Sequence, residues 1–319
     1  MKKPFGALIF LAAMPALWGG LPDGAYHEKT IGFIPPGTVS PFYAEVIAGA
    51  QPACDMGGFK LDVESPKHED DFEGMLHVVD EVLQRGPQGI CLCSTDGPTL
   101  IGAIKKANRA GVPAVVFNSI TPLPDANVFA YVGYDQFEAG RKVARYLKAI
   151  AKGAKKVCII EGLPSQFTKE REGGFLEELK GSADIAVAMK VRGDWERTLA
   201  AQVASDALAR DPGINVFYGL SDEMALGALD AVRRQGVKDA VILGIDGNRS
   251  AIKSILEGGM TATLDTNRDL IGKETINAVI KAVRRERSNR IIVIEPFNID
   301  RSTAHRASIA VPRGGLACR

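Results

Sequence analysis

The fold is decided by the stretch Asn215-Val216-Phe217-Tyr218-Gly219-Leu220-Ser221-Asp222-Glu223-Met224-Ala225-Leu226-Gly227-Ala228-Leu229. Its first part is an apolar run rich in β-forming residues, which predicts a buried strand. The run stops at the polar corner Ser221-Asp222, and a helix of small residues begins there. This layout is typical of a parallel strand that delivers polar side chains to the carboxyl edge of a doubly wound sheet, where such folds bind ligands.

The same alternation of short apolar runs and amphipathic stretches continues along the whole chain. The candidate strands are Ile31–Pro35, Phe59–Glu64, Gly89–Ser94, Ala114–Asn118, Val128–Gly133, Lys156–Glu161, Ala186–Val191, Val216–Leu220, Val241–Asp246, Thr261–Asp265 and Ile291–Ile294. Candidate helices between them include Asp71–Arg85, Thr99–Ala110, Gln136–Ala151, Thr198–Arg210 and Arg268–Arg287. Such alternation predicts parallel sheets with helices on both faces. So many strands exceed one sheet of ordinary size, and we expect an α/β protein with two similar doubly wound parallel-sheet lobes.

Charge and the N-terminal segment restrict the class of protein. The 319 residues carry 39 Lys and Arg against 38 Asp and Glu, so no bulk field draws the chain to nucleic acid or to an anionic membrane. Met1-Lys2-Lys3 precedes the apolar stretch Phe5–Leu17, and small and turn-forming residues follow. This pattern predicts a secretory signal peptide within residues 1–25, with an uncleaved anchor as the alternative. We therefore expect a soluble periplasmic protein.

Sequence signatures of enzymes and metal sites are absent. No Gly-x-Gly-x-x-Gly follows the first strand, no phosphate-binding loop occurs, and the four histidines are scattered. Cys91 and Cys93 point to one face of a predicted strand, and the spacing of the other cysteines does not match a zinc site. We expect unpaired cysteines that pack as small apolar residues, and no cofactor.

Polar side chains gather at the predicted strand ends. Four ends carry the groups Asn118-Ser119, Ser221-Asp222, Asp246-Gly247-Asn248 and Asp265-Thr266-Asn267. Any one of them could be a helix cap, but four at one edge indicate a shared pocket. Phe42 and Tyr43 follow the first strand, and Trp195 follows a strand of the second half. Aromatic faces together with amides and carboxylates suit the C–H faces and the hydroxyls of a sugar.

Taken in order, these motifs resemble ribose-type periplasmic sugar-binding proteins and the related core of LacI-type repressors. The matching segments are Ser40–Tyr43, Ala110–Asn118, Lys169–Phe175, Asp194–Arg197, Asp222–Leu229 and Gly244–Gly247. The ligand contacts that the resemblance implies are Ser40, Phe42, Tyr43, Asn118, Ser119, Lys169, Trp195, Ser221, Asp246 and Thr266. Asp222 is also assigned to the ligand-binding set, with a main role as a helix cap that supports the pocket. The implied lobes, joined by a multi-strand hinge, are residues 28–132 with 267–296 and residues 133–266 with 297–319.

The chain also departs from the ribose-binding pattern. Ribose binders usually place Asp-Arg at Asn118-Ser119, Arg at Lys169, Asn at Ser221 and Gln at Thr266. Hydrogen bonds to charged groups contribute about 1.5–3 kcal/mol each, and Lys cannot copy the planar fork of Arg. We expect these changes to remove ribose affinity. The pocket would then take a larger sugar or a different polyhydroxy compound.

The resemblance implies an exported solute-binding protein that feeds an ABC importer. Two lobes would close over a sugar-like ligand, and the permease subunits would recognise the closed monomer. Nucleic acid is not an expected partner, because a signal peptide stands where a repressor carries its DNA-binding helices. One alternative is a periplasmic sensor that signals through a chemoreceptor or sensor kinase. Another is a secreted carbohydrate-active enzyme that uses a carboxylate pair such as Asp222 and Asp246.

Overall fold

The computed structural model describes residues 29–305, so the predicted signal peptide and Cys318 lie outside the described residues. The strands of this part are β1 (Thr30–Ile34), β2 (Lys60–Val63), β3 (Gly89–Leu92), β4 (Ala114–Phe117), β5 (Ala130–Gly133), β6 (Lys155–Glu161), β7 (Ile185–Arg192), β8 (Val216–Gly219), β9 (Val241–Asp246), β10 (Ala262–Asp265), β11 (Ile291–Val293) and β12 (Phe297–Asp300). Its helices are α1 (Pro41–Gly57), α2 (Phe72–Gln84), α3 (Gly97–Arg109), α4 (Gln136–Ile150), α5 (Gln166–Leu179), α6 (Arg197–Arg210), α7 (Asp222–Arg234), α8 (Arg249–Leu256) and α9 (Arg268–Val283). No helix in this part is long and apolar enough to cross a bilayer.

The strands form two six-stranded sheets with the same internal order. One sheet runs β11-β5-β4-β3-β1-β2, and the other runs β12-β10-β9-β8-β6-β7. All neighbours are parallel except β10 and β12, which pair antiparallel. The strand order reverses between β1 and β3 in one lobe and between β6 and β8 in the other. At such a switch point the loops diverge and leave a crevice, which is where doubly wound sheets bind ligands. The predicted fold class is confirmed.

The chain passes between the two sheets three times. The crossings lie between Gly133 and Gln136, between Asp265 and Arg268, and between Val293 and Phe297. Side chains tie the crossings together, because the Asn267 Nδ2 group donates to the Glu295 carbonyl at 3.1 Å. We propose that the lobes divide at these crossings, close to the boundaries of 28–132 with 267–296 and 133–266 with 297–319. Three connections that run side by side suit a hinge.

Two details differ from the sequence-based expectation. The short edge strand β12 was not predicted, because only four residues alternate there after Pro296. Helix α9 ends at Val283 rather than Arg287, since Arg285 takes a left-handed backbone with φ of 58°. The four cysteines of the described part are unpaired and buried, as predicted.

The core fixes where each strand end lies. The residues of β3, β4, β5, β8 and β10 are buried throughout, as expected for strands covered on both faces. In the N-terminal lobe, Phe33 stacks on Phe117 with 4.5 Å between ring centroids. Helices α1 and α9 approach closely, because a Cβ on Gly272 would lie 1.9 Å from the Val46 carbonyl oxygen. The loops after the strands therefore start from rigid positions.

Candidate functional site

A cavity lies between the lobes at the carboxyl ends of both sheets. Counting its open mouth, it spans about 410 Å³ of empty space. Its lining residues are Ser40, Phe42, Tyr43, Glu69, Asn118, Phe167, Arg171, Trp195, Ser221, Glu223 and Asp246. Both lobes contribute, so the cavity exists as an enclosed space only when the lobes are closed.

The N-terminal lobe supplies a rigid aromatic wall. Ser40 is the N-cap residue of α1 and Pro41 begins the helix, so Phe42 and Tyr43 lie in its first turn at the end of β1. Their rings meet edge to face with centroids 5.0 Å apart. The Tyr43 hydroxyl lies 3.8 Å from the Cys93 sulfur, and this contact holds the Tyr43 ring in place. These contacts present an apolar surface that needs no rearrangement to receive a ligand ring face.

The C-terminal lobe supplies Trp195 through an unusual backbone. Asp194 and Trp195 both have left-handed backbones, with φ of 49° and 68°. The indole packs on Gly162, where a Cβ would lie only 2.1 Å from the ring. The buried indole Nε1–H has no hydrogen-bond partner within the described residues. A buried donor without a partner is costly, so this group is suited to a ligand acceptor.

Asn118 combines an unsatisfied side chain with a contact between the lobes. Its side-chain Oδ1 is buried without a partner in the part of the chain that the structure describes, and its φ is 62°. Its backbone carbonyl accepts a hydrogen bond of 2.9 Å from the Gln136 side chain, which belongs to the other lobe. A left-handed backbone for a residue other than glycine costs about 1–3 kcal/mol and often marks a functional position.

Arg171 is the central cation of the cavity. It is 4% exposed, and Gln136, Leu220 and Tyr134 fix its guanidinium. The Nε atom donates to Gln136 Oε1 at 2.7 Å, Nη1 to the Leu220 carbonyl at 2.5 Å and Nη2 to the Tyr134 hydroxyl at 2.5 Å. A guanidinium has five N–H groups, so two remain without an acceptor among residues 29–305 and are available to a ligand.

The free edge of the guanidinium has two neighbours in the cavity. Its Cζ atom lies 5.6 Å from the centroid of the Trp195 ring. Its Nη1 atom lies 3.8 Å from Asp246 Oδ1, too far for a hydrogen bond. A ligand hydroxyl can therefore bridge Arg171 and Asp246.

Asp246 lies at the end of β9, and the buried carboxylate of Asp222 holds the backbone that follows it. The φ of Asp246 is 133°, and burial raises its pKa to about 6, while Arg171 opposes the rise. Asp222 shapes this corner: its Oδ2 accepts from the Gly247 and Asn248 amides at 2.8 and 2.7 Å. Its Oδ1 accepts from the Thr263 hydroxyl at 2.6 Å. Asp222 thus sets the loop that carries Asp246.

Glu69 adds a carboxylate from the loop between β2 and α2. The Thr95 hydroxyl donates to the Glu69 carbonyl at 2.9 Å, which anchors this loop on the cavity. The half-buried carboxylate itself makes no hydrogen bond or close ion pair with the residues from 29 to 305. Burial raises the pKa of Glu69 to about 7, Asp246 adds to the rise, and Arg171 opposes it.

The structure brings most of the predicted contacts together. Those that line the cavity are Ser40, Phe42, Tyr43, Asn118, Trp195, Ser221 and Asp246. Ser221, not Asp222, is the N-cap of α7, and its hydroxyl accepts from the Met224 amide at 3.3 Å. The expected capping role of Asp222 is therefore wrong. Its support of the pocket runs through the loop after β9.

Three further predicted residues do not reach this cavity. Lys169 is exposed on α5. Ser119 lines a separate space beside the cavity, together with Phe167. Thr266 is fully buried, and its hydroxyl donates to the Asp246 carbonyl at 3.2 Å. It positions Asp246 rather than facing the ligand space.

Four lining residues were not predicted from the sequence: Glu69, Phe167, Arg171 and Glu223. Arg171 carries a signal that was available. Phe167, Arg171 and Phe175 recur at intervals of four, which places them on one helix face, whereas Lys169 lies on another. The sequence predicts a cavity without an arginine, because Lys169 stands at the matching position. Arg171 lines the cavity, so the planar arginine fork is present after all.

Comparison with known proteins agrees with this geometry. Residues 31–287 match the family model described as periplasmic binding protein domain. The ribose import binding protein RbsB of Bacillus subtilis is 30% identical over 255 residues, which cover 79% of this chain and 80% of that protein. The D-allose-binding periplasmic protein of Escherichia coli is 28% identical over 265 residues, which cover 80% and 84%.

A solved structure shares the fold. It is an ABC transporter periplasmic solute-binding protein from Actinobacillus succinogenes with bound D-allose. Its TM-score is 0.81 at 24% identity, and the match covers 88% of this chain and 100% of that one. With the family model matched over most of the chain, the fold and the cavity between the lobes lead to one conclusion. The chain belongs to the periplasmic binding protein domain family, whose members bind solutes rather than transform them.

Proposed function

We propose that this protein captures a sugar-like polyhydroxy ligand between its lobes and delivers it to an ABC importer. The observation that carries the proposal is the state of Arg171. Two of its N–H groups have no acceptor among the described residues, and Arg171 lines the cavity with Asp246 and Trp195 as its neighbours. A guanidinium edge, a carboxylate and an aromatic face suit the hydroxyls and the C–H face of one sugar ring. Relatives named for ribose and D-allose support the same ligand class.

Hinge closure follows from where the contacts originate. Phe42, Tyr43, Asn118 and Glu69 belong to one lobe, and Arg171, Trp195, Ser221 and Asp246 to the other. A ligand that contacts both sets binds the closed form more tightly than the open form. Its binding therefore shifts the open–closed equilibrium by that difference in affinity. No covalent chemistry is needed.

The enzyme alternative loses its proposed carboxylate pair. Asp222 is fully buried, and its two oxygens accept hydrogen bonds from Gly247, Asn248 and Thr263. It cannot work with Asp246 on a glycosidic bond, because a general acid must touch the leaving oxygen.

A thermal-shift screen over sugars and polyols, followed by calorimetry, tests the proposal. Ligand at 100 times its dissociation constant stabilises the folded form by about 2.7 kcal/mol. Trp195→Ala and Asp246→Ala should each weaken binding of the identified ligand at least about tenfold. Asp206→Ala, on an exposed position of α6, should not. Unchanged affinity in both cavity variants, or turnover of the sugar, would refute the proposal.

The partner that recognises the closed protein and its periplasmic location are part of the same proposal. Permease subunits would bind the closed monomer, and the alternative partners for the same closed form are a chemoreceptor or a sensor kinase. Removal of residues 1–25 on export would release the protein into the periplasm. Uptake of the labelled ligand in a strain that lacks this chain tests delivery. Sequencing of the N-terminus of the periplasmic protein tests the cleavage.

A further inference from the structure

Carboxylates outnumber cationic groups in the lining of the cavity. Three carboxylates line it, Glu69, Glu223 and Asp246, against the single guanidinium of Arg171. Arg171 lies 3.8 Å from Asp246, whereas it forms no ion pair with Glu69 and only opposes the rise in the pKa of that carboxyl. Glu223 is engaged in part, because its Oε1 accepts from the Ser250 hydroxyl at 3.4 Å. Glu69 has no hydrogen-bond or ion-pair partner within the described residues.

The unpaired acceptors extend beyond the carboxylates. Asn118 is 2% exposed and lines the cavity, and its Oδ1 atom has no hydrogen-bond partner among the residues that the structure describes. This buried amide oxygen is an independent sign that a donor belongs in the cavity. A hydroxyl brings one donor, whereas an ammonium group brings three donors, no acceptor and a positive charge. The acceptor excess on the Glu69 side therefore fits an ammonium better than a hydroxyl.

We propose that the ligand is an aminated sugar or amino-polyol, and that its ammonium group pairs with Glu69. This inference rests on the proposed function and names the ligand class of the same cavity. Arg171 and Asp246 take the hydroxyl groups, and the aromatic wall takes the ring face. Without a cation, the cavity keeps an uncompensated carboxylate near Asp246, and burial of such a group is costly. Burial raises the pKa of Glu69 to about 7 and Asp246 adds to the rise, so a cationic ligand group beside it would favour the charged carboxylate.

Matched ligand pairs test the inference by calorimetry at pH 7.0. The aminated probes are D-glucosamine, D-galactosamine, D-mannosamine and 1-amino-1-deoxy-D-glucitol. Each is compared with its hydroxyl parent, namely D-glucose, D-galactose, D-mannose and D-glucitol. N-acetyl-D-glucosamine keeps the nitrogen without the charge. We expect at least one aminated probe to bind roughly tenfold or more tightly than its parent, with the acetylated form no better than the parent.

Glu69→Gln assigns the effect to one residue. It should reduce the amine preference to about one while binding of the parent sugar stays within roughly threefold, since a charge-assisted bond is about twice as strong as a neutral one. Asp70→Asn removes the same charge one residue away on an exposed position and should leave the preference intact. The melting temperature of each variant without ligand verifies folding.

The outcomes separate the inference from the proposed function. Parents that bind as tightly as their amines overturn the amine assignment and leave a sugar-binding protein. An amine preference that survives Glu69→Gln, or that Asp70→Asn also removes, overturns the role of Glu69. Absence of binding by every probe and by the wider sugar screen overturns both proposals.

Discussion

Replacement of Arg171 by lysine separates ligand binding from the simple presence of a positive charge. Arginine offers five N–H donors at this position and lysine offers three. Gln136, Leu220 and Tyr134 already take three donors from Arg171 at 2.5–2.7 Å. A lysine that satisfies these buried acceptors has no donor left for the ligand.

The loss can be estimated from those two donors. Each hydrogen bond to a charged group contributes about 1.5–3 kcal/mol, so two of them contribute at least about 3 kcal/mol. Since 1.4 kcal/mol corresponds to a factor of ten, the dissociation constant should rise roughly 150-fold. Calorimetry with the ligand from the thermal-shift screen measures this change. The melting temperature without ligand shows whether the variant is folded.

Lys169→Met is the matched control for this experiment. Lys169 lies two residues away on the same helix but is exposed, so its removal should change the affinity less than about twofold. If Arg171→Lys binds the ligand within threefold of the wild type, or if Lys169→Met weakens binding as much as Arg171→Lys does, the free N–H groups of Arg171 do not hold the ligand. The residue match implied by the family resemblance would then be the better guide.

Three further predictions follow from the buried groups around the cavity. Asp222→Ala leaves the buried Asn248 N–H without its acceptor, and the Gly247 N–H keeps only the Thr263 hydroxyl, so we expect a loss of about 2 kcal/mol in the free energy of unfolding by urea, and an unchanged midpoint would contradict it. Gly162→Ala places a methyl group 2.1 Å from the Trp195 ring, so ligand affinity should fall about tenfold while near-ultraviolet circular dichroism reports the displaced indole. Burial, together with Asp246, raises the pKa of Glu69 from 4.5 to about 7, so its stabilising contribution is complete below pH 4.5 and is lost as the pH rises through 7. The melting temperature of the ligand-free wild type should accordingly fall more between pH 5 and pH 8 than that of Glu69→Gln, and parallel curves would count against this explanation.

The sequence predicts the fold well because the fold depends on patterns that repeat. Most strands are short apolar runs, and most of these runs are followed by a helix, so the same strand–helix pattern indicates the two-lobed α/β architecture at many points of the chain. Residues at strand ends, such as Asn118, Ser221 and Asp246, are predicted for the same reason: the position of a strand end fixes the position of its side chain.

The remaining site residues lack such a local rule. Arg171 stands in the charged run Lys169-Glu170-Arg171-Glu172, which suggests a solvent-exposed helix face by composition alone. The helix face on which Arg171 lies is indicated only by its spacing of four residues from Phe167 and from Phe175. Glu69 lies in a loop beside other acidic residues, and its approach to the other lobe is a tertiary event that no local pattern encodes.

The three crossings of the chain also determine the order in which the molecule can fold. The N-terminal sheet needs β11, and α1 packs against α9, yet both partners are encoded after the five parallel strands of the other lobe. During synthesis, the first lobe must therefore wait until residue 293 has emerged before it is complete. Contacts between such distant segments are slow to form, and until then the buried face of α1 around Val46 and Ala50 stays exposed. The N-terminal lobe of a nascent chain with this topology therefore stays incompletely folded until β11 has been made.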